Sequence, residues 1–438
     1  MNNILDGLKV IDCTQILAGP FCTMMLGDMG ADIIKIEKPN GGDDIRRFGP
    51  PFIDGESAAF LMINRNKKSL ALNMKDPKGL KILTDLIKGA DVFIQNFRPG
   101  SLEKMGLGFD DVINTINSKI IYCSISGFGT TGPYKDRPGF DLIAQGMSGL
   151  MSLTGTPNGE PVKIGVPICD LNAGSYAAMG ILAAYIKRMK TNKGQFIETS
   201  LLESGLSYTI WESGIYFATK EISSQSGTAH RLSAPYQAFK TNDGYINIGA
   251  ANQANWEKLC HAINKPEFIT KEEYLDNSSR MENIDQLVNL LNQEFELRTT
   301  SEWVEILISA GVPCGPILNM HEVLNHEQIK DREKINLNDD NILSYGSNRI
   351  CYFDEANPSQ LIKIARHPES WVKDHRQSFS EWYISTSLVS REKDCRISHC
   401  QGWVRTNKGP GLVVDRIVDD HGQSVTLRKL LFRRELTV

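Results

Sequence analysis

LKVIDCTQILAGPFCTMMLGDMGADIIKIE, residues 8 to 37, decides the fold. Leu8 to Asp12 is an apolar run of strand length, Ala18 to Met29 has helical spacing, and Asp32 to Glu37 is a second strand. A strand, a helix and a strand in so short a span form a βαβ unit, which implies a parallel sheet. The pattern recurs downstream. PKGLKILTDLIKG reads as a helix, DVFIQNF as a strand, a helix is expected from about Ser101, and KIIYCSIS is the next strand. The fold class is therefore α/β, with an open, parallel, Rossmann-like sheet expected through residues 1–200. Residues 171–189, LNAGSYAAMGILAAYIKRM, read as a long helix whose small residues let another helix or a second subunit approach closely. Beyond a linker at 201–229 the texture changes. PYQAFKTNDGYINIGA is a hairpin with an Asn-Asp-Gly turn, and NQANWEKLCHAI, ENIDQLVNLLNQEFEL and TSEWVEILISAG are helices. They make a small α/β domain over 230–325. Residues 326–384 are expected to return to the large domain, and the polar, basic 385–438 form a tail of unknown fold.

The totals exclude several function classes. The chain has 438 residues, 41% of them hydrophobic and 23% charged, and a net charge of −4, so nothing in it calls for nucleic acid. Nine cysteines are scattered without a CxxC pair or metal-ligand spacing, which fits reduced thiols and no metal site. No apolar run approaches the ~20 residues of a membrane span. MNNILDGLKVIDCTQ enters a strand almost at once, with no signal peptide or Arg-rich presequence. The expected location is cytoplasmic, or mitochondrial if a presequence precedes this chain.

Among the motifs, GFGTTG (Gly127 to Gly132) matches GxGxxG after a strand, but Pro133, Asp136, Arg137 and Pro138 continue it as loop. Dinucleotide binding needs a helix opening inside those glycines, so a nicotinamide site is not expected. Lys38, after the second strand, stands at the carboxyl edge of the sheet, where it could meet a phosphate or be a solvated lysine. NRNKKS (Asn64 to Ser69) is a cation run that suits either solvent or an anionic ligand. No nucleophile elbow, His-anchored triad or HExxH is present. Carboxylates are left as the chemical candidates. Asp170, where an apolar run meets the long helix, reads as an N-cap, as a reagent, or as both. Helix-end N–H groups would lower its pKa and keep it ionised for attack.

Five blocks agree in order and spacing with one family: residues 8–44, NRNKKSLALNMKDPKG, NFRPGSLEKMGLG, ISGFGTTGPYKDRPGFD and CDLNAG. The chain resembles class III (formyl-CoA-transferase-like) CoA-transferases from about residue 5 to 333. GGDDIRRFGPPF and GTAHRLSAPYQAFKTNDGYI look most like the succinyl-CoA:glutarate (hydroxymethylglutarate) branch. The resemblance implies an interlocked homodimer and CoA transfer from an acyl-CoA, succinyl-CoA in this branch, to a dicarboxylic acid. Its nucleophile falls on Asp170, which would pass through a mixed anhydride and an aspartyl-CoA thioester. No resident cofactor is implied; the coenzyme A thioester is a substrate. By the same resemblance CoA lies along Leu17, Ala18, Lys38, Leu72, Asn73, Lys75, Asn96, Phe97, Lys104, Met105 and Arg137. Gly127 and Gly129 are candidates to steady developing oxyanions, and Arg65 to meet the acceptor's second carboxylate.

Two departures narrow this reading. HRLSAPYQ stands where formyl-CoA transferases carry a mobile run of glycines, which argues against oxalate or formate. IARHPESWVKDHRQSFSEWY matches the family's terminal region only faintly, and 385–438 matches nothing in it. The rival enzyme is an α-methylacyl-CoA racemase. Its family places a His where this chain has Phe140, and phenylalanine cannot move a proton. A CoA-binding protein without catalysis is the rival from another class.

Overall fold

Six parallel strands carry the large lobe: β1 (Lys9–Cys13), β2 (Asp32–Glu37), β3 (Lys67–Ala71), β4 (Val92–Gln95), β5 (Ile121–Ser126) and β6 (Gln195–Ser200), in the order β3-β2-β1-β4-β5-β6. The structure is a computed structural model and describes residues 4–331 and six strands between residues 334 and 415. Strand alternation sends side chains to two helical layers. Val10, Ile33, Val92, Ile94 and Ile121 pack toward α1 (Ala18–Asp28) and α4 (Ile168–Thr191). Ile11, Cys13, Phe93 and Tyr122 pack toward α2 (Pro77–Lys88) on the other face. The chain reverses its direction of winding between β1 and β4. Loops leaving the carboxyl ends of those two strands diverge there and open a crevice.

The small residues of α4 do what their composition suggested: a helix packs on them. A Cβ at Gly174 would stand 2.5 Å from the carbonyl oxygen of Ala18, so α1 meets α4 backbone to side. Three local expectations change. Part of the NRNKKS run is strand β3, since Lys67 to Ala71 extend the sheet beside β2. Strand β6 had no separate signal after the long helix. The helix expected from Ser101 is one turn at Glu103–Met105, stopped by Gly106 at φ +70°, with a further helical stretch at 109–116.

After α3 (Asp141–Met147), α4 and α5 (Ile210–Thr219), the small lobe begins. Hairpin β7–β8 (Tyr236–Lys240, Tyr245–Gly249) packs Phe239, Ile246 and Ile248 against α6 (Gln253–Ala262), α7 (Ile284–Phe295) and α8 (Thr300–Ser309). All four elements stand where their periodicity placed them.

The chain divides into two units, Met1–Gly315 and Pro316–Val438. The second contains β9 (Lys334–Ile335), β10 (Ile342–Tyr345), β11 (Arg349–Phe353), β12 (Gln360–Ala365), β13 (Cys400–Thr406) and β14 (Gly409–Asp415). They form one sheet in the order β9-β13-β14-β12-β11-β10, antiparallel except where β9 joins β13. The return segment and tail expected from the sequence fall largely outside the described residues.

Candidate active site

The first turn of α4 builds one wall of the site. Its N-cap position is Pro167, which has no side chain able to accept, so the turn's N–H groups need other partners. Ile168 N–H donates to the Val166 carbonyl (2.8 Å) and Leu171 N–H to the Pro167 carbonyl (3.1 Å). The two between them, Cys169 and Asp170, donate to Oδ1 of Asp141 at 2.9 and 3.3 Å. Asp141 opens helix α3, so the cap comes from a different element. This corrects the N-cap reading of Asp170: it is the third residue of the helix and leaves the capping to Asp141. The expected electrostatics reverse with it. Burial, then the negative charge of Asp141, pushes the Asp170 carboxyl up to about 7. The neighbouring Cys169 thiol is raised to about 12 by burial, with Asp141 and Asp170 adding to it, so it is no competing thiolate.

The opposite wall is the turn after β1. Ile16 holds φ +69°, an uncommon conformation for a β-branched residue. Asp43 Oδ1 accepts from its N–H at 3.1 Å, and Asn96, after β4, accepts from Gln15 N–H (2.9 Å) and donates to the Gln15 carbonyl (2.8 Å). Asn96 thus ties the two diverging loops across the crevice. Asp43 is itself held: Lys35 Nζ lies 2.8 Å from its Oδ2 and donates to the Thr14 carbonyl at 2.8 Å, with both side chains at most 1% exposed. Below them Lys67, also buried, lies 3.4 Å from Asp12. Burial opposes ionisation of Asp12, yet Lys35, Lys67, Thr14 and Thr23 hold its carboxyl below the usual range. Burial pushes the Lys67 ammonium down to about 8. Of the cation run, then, Lys67 is structural, Lys68 pairs with Asp32, and Arg65 forks onto Asp28 at 3.0 and 2.6 Å.

Between the walls lies a cavity of about 580 Å³. Ile16, Leu17, Ile45, Phe48, Met62, Ile63, Phe140 and Leu142 make it apolar; Asp141, Asp170 and Lys163 are its charged lining. A partly buried carboxylate with no hydrogen bond to its side chain among the described residues faces that space. Once ionised it can attack an electrophilic carbon brought into the cavity. A polar cleft of about 350 Å³ beside Lys88, Asn117 and Arg188 offers less, because Arg188 is already bound to Asp91 at 2.7 Å.

The family model described as CoA-transferase family III matches residues 5–354. The chain belongs to that family. This class III CoA-transferase is 46% identical over 331 residues to the succinyl-CoA:glutarate CoA-transferase of Homo sapiens, covering 75% of each chain. It is 37% identical over 334 residues to the succinate–glutarate CoA-transferase of Agrobacterium fabrum, covering 75% of this chain and 83% of that one. Among solved structures it matches a CAIB/BAIF family protein from Brucella suis with a TM-score of 0.69 and 39% identity, over 76% of this chain and 89% of that chain. A second model, PhoP regulatory network protein YrbL, matches residues 335–438 and overlaps the end of the transferase match over residues 335–354.

The transferase brings only part of the expected residue set to one place. Leu17 and Asp170 line the cavity, Ala18 begins α1 beside it, and Asn96 holds its rim. Lys38 pairs with Asp44 at 2.5 Å on the surface. Leu72 is buried under α2, with Phe97 and Met105 packed against the same core, while Asn73, Lys75 and Lys104 are exposed nearby in sequence. Arg137 stacks on Tyr134, 3.6 Å from the ring centre. Gly127 is required by close approach, since a Cβ there would meet Gly139 Cα at 2.6 Å, and the Gly129 N–H is taken by Ser126. Neither glycine, nor Arg65, is in the cavity lining. Sequence reasoning missed Asp141, Gln145, Asp43 and Lys163. The signal for the first pair was the Asp-x-x-x-Gln spacing directly after Phe140.

Proposed function

We propose that the enzyme moves CoA from succinyl-CoA to a dicarboxylic acid of the glutarate or hydroxymethylglutarate type through a covalent intermediate on Asp170. The observation that carries this reading is the unpartnered Asp170 carboxylate facing the cavity in a chain of this family. Asp170 attacks the thioester carbonyl and expels CoA thiolate, leaving an aspartyl–succinyl anhydride. The thiolate then attacks the Asp170 carbonyl, giving the aspartyl-CoA thioester and free succinate. The acceptor carboxylate attacks that thioester and forms a second anhydride. CoA thiolate returns to the acceptor's carbonyl and frees Asp170. Every bond broken is replaced, no water or oxidant enters, and the apolar walls keep hydrolysis out.

In this reading CoA runs from the cavity along Leu17, Ala18, Asn96 and Phe97 toward Leu72, Asn73, Lys75, Lys104 and Met105, with Lys38 and Arg137 at its phosphates. Gly127 and Gly129 shape the loop before Phe140. We assign the acceptor's distal carboxylate to Lys163 ahead of Arg65, because Lys163 lines the cavity and Arg65 is engaged by Asp28. A homodimer is the expected assembly. Helix α5 buries none of its residues within one chain and exposes Ile210, Trp211 and Phe217, a face suited to a second copy.

The test is mass spectrometry after mixing with succinyl-CoA. A CoA adduct is expected on Asp170, together with exchange of label into free succinate, and Asp170→Asn abolishes both. Absence of adduct and exchange in the parent overturns the transfer reading. Exchange of an α-proton with solvent deuterium in their place supports the racemase.

A further inference from the structure

We propose that Asp141 and Gln145 are positioning residues for Asp170, gripping the backbone that leads into it and its own N–H from one face of α3. The inference rests on Asp170 being the nucleophile. The two side chains are one helical turn apart and therefore neighbours on that face. Asp141 Oδ1 accepts from Cys169 and Asp170 N–H, while its Oδ2 accepts from Gln145 Nε2 at 2.6 Å. Gln145, fully buried, accepts from Ile164 N–H at 2.8 Å and donates to the Val166 carbonyl at 3.3 Å. The segment from Ile164 to Asp170 is thus held at four backbone groups by two side chains.

The grip has a chemical consequence as well as a geometric one. With Ile168 and Leu171 N–H bound to backbone carbonyls, Asp141 takes the two N–H groups of the turn that could have folded back onto the Asp170 carboxylate. The nucleophile is left with its lone pairs free and faces the cavity. A serine or asparagine cap would satisfy the same N–H groups without charge. A carboxylate cap adds a negative charge beside the reagent, which raises its basicity and, through basicity, its nucleophilicity. The charged groups facing Asp170 are Asp141 from α3 and Lys163 at the rim, whose Nζ lies 3.3 Å from the Ile164 carbonyl. The Ile16–Leu17 wall and the 59–63 wall bring none, and the Cys169 thiol beside it stays protonated.

The test follows the Asp170 carboxyl by carbon NMR titration, its resonance assigned by loss in Asp170→Asn, alongside the pH profile of kcat/KM. In Asp141→Asn, where an oxygen still meets the two N–H groups, the Asp170 titration and the acid limb of the profile both move to lower pH. In Asp141→Ala and Gln145→Leu, kcat falls roughly 100-fold while KM for succinyl-CoA changes little, as expected when the reacting group is misplaced. Thermal unfolding of each variant measures any folding loss separately. An unmoved titration and limb in Asp141→Asn, or a kcat within about threefold of the parent in both deletion variants, overturns the proposal. A titration that moves while the parent forms no adduct on Asp170 overturns the nucleophile reading and leaves the coupling of the two carboxylates intact.

Discussion

Two carboxylates hold the two walls of the cavity, and they differ in one respect. Asp43 fixes the Ile16 turn and has Lys35 at 2.8 Å as counter-ion. Asp141 fixes the Asp170 turn, and its hydrogen-bond partners are two N–H groups and an amide, none of them a cation. The first is an anchor whose charge is cancelled where it stands, so the wall it holds is electrically quiet and apolar. The second is an anchor whose charge remains and acts on the residue it positions. One backbone-gripping device thus serves shape on one side of the cavity and reactivity on the other.

Breaking the first anchor has the larger expected effect on stability. Lys35→Met leaves Asp43 buried without its counter-ion, and a broken buried pair costs about 3–5 kcal/mol. The expected result is a urea midpoint well below the parent's at pH 8. The Ile16 turn loses its anchor with it, so the surviving folded fraction has weakened CoA binding. A midpoint unchanged at pH 8 erases the contrast between the two walls.

At Asp170, pushed up first by burial and then by the charge of Asp141, the expected change has the opposite sign. Asp170 has a folded pKa of about 7 against an ordinary value near 3.8. Between those values the folded chain binds the extra proton, so stability falls as pH rises from about 4 to 7 and is level above that. At 1.36 kcal/mol per unit the penalty at pH 8 is at most roughly 4 kcal/mol. Asp170→Asn removes it. The inactive variant is therefore more stable than the parent at pH 8 and close to it at pH 4, as urea unfolding at the two values measures. A parent whose stability is flat over that range, relative to the variant, contradicts the raised Asp170 carboxyl.

The legibility of these features divides along the same line. Strands β1, β2, β4 and β5, helices α1, α2 and α4, and the small lobe were written in local periodicity, which a single pass along the chain detects. β3 was hidden because its sequence, Lys67 to Ala71, begins with two lysines. The buried Asp12, with the Pro20 carbonyl and Asn64 Oδ1 that Lys67 Nζ donates to at 2.8 Å, explains why Lys67 belongs inside a sheet. Asp170 stands out by its place at the start of a helix, yet of its open readings the N-cap does not hold. The residue that caps α4 lies 29 positions earlier in the chain, and no local pattern joins them. Distant pairs of that kind, Asn96 with Gln15 and Asp43 with Ile16 included, are created by the sheet order and become visible only with it. The tail is the opposite case: its poor fit to the transferase blocks was plain in the sequence, and residues 335–438 match a model of a different description.

The smallest effect is expected at the rim, where Lys163 is exposed and an ion pair is worth little in water. A dicarboxylate bound against Asp170 places its distal carboxylate in a cavity whose lining is mostly apolar and whose one cation among the described residues is Lys163, and there the pairing strengthens with loss of solvent. Lys163→Met keeps the apolar stem and deletes the charge. KM for glutarate then rises on the order of tenfold, about 1.4 kcal/mol, while KM for a monocarboxylate of similar length and for succinyl-CoA stays near the parent's. The same rise in Arg65→Met, with Lys163→Met silent, moves the distal carboxylate to Arg65 and requires that residue to leave Asp28. An equal rise for mono- and dicarboxylates makes Lys163 a general steering charge. The difference between the two acceptors, measured in one variant, decides whether the second negative charge of the substrate is read at this wall.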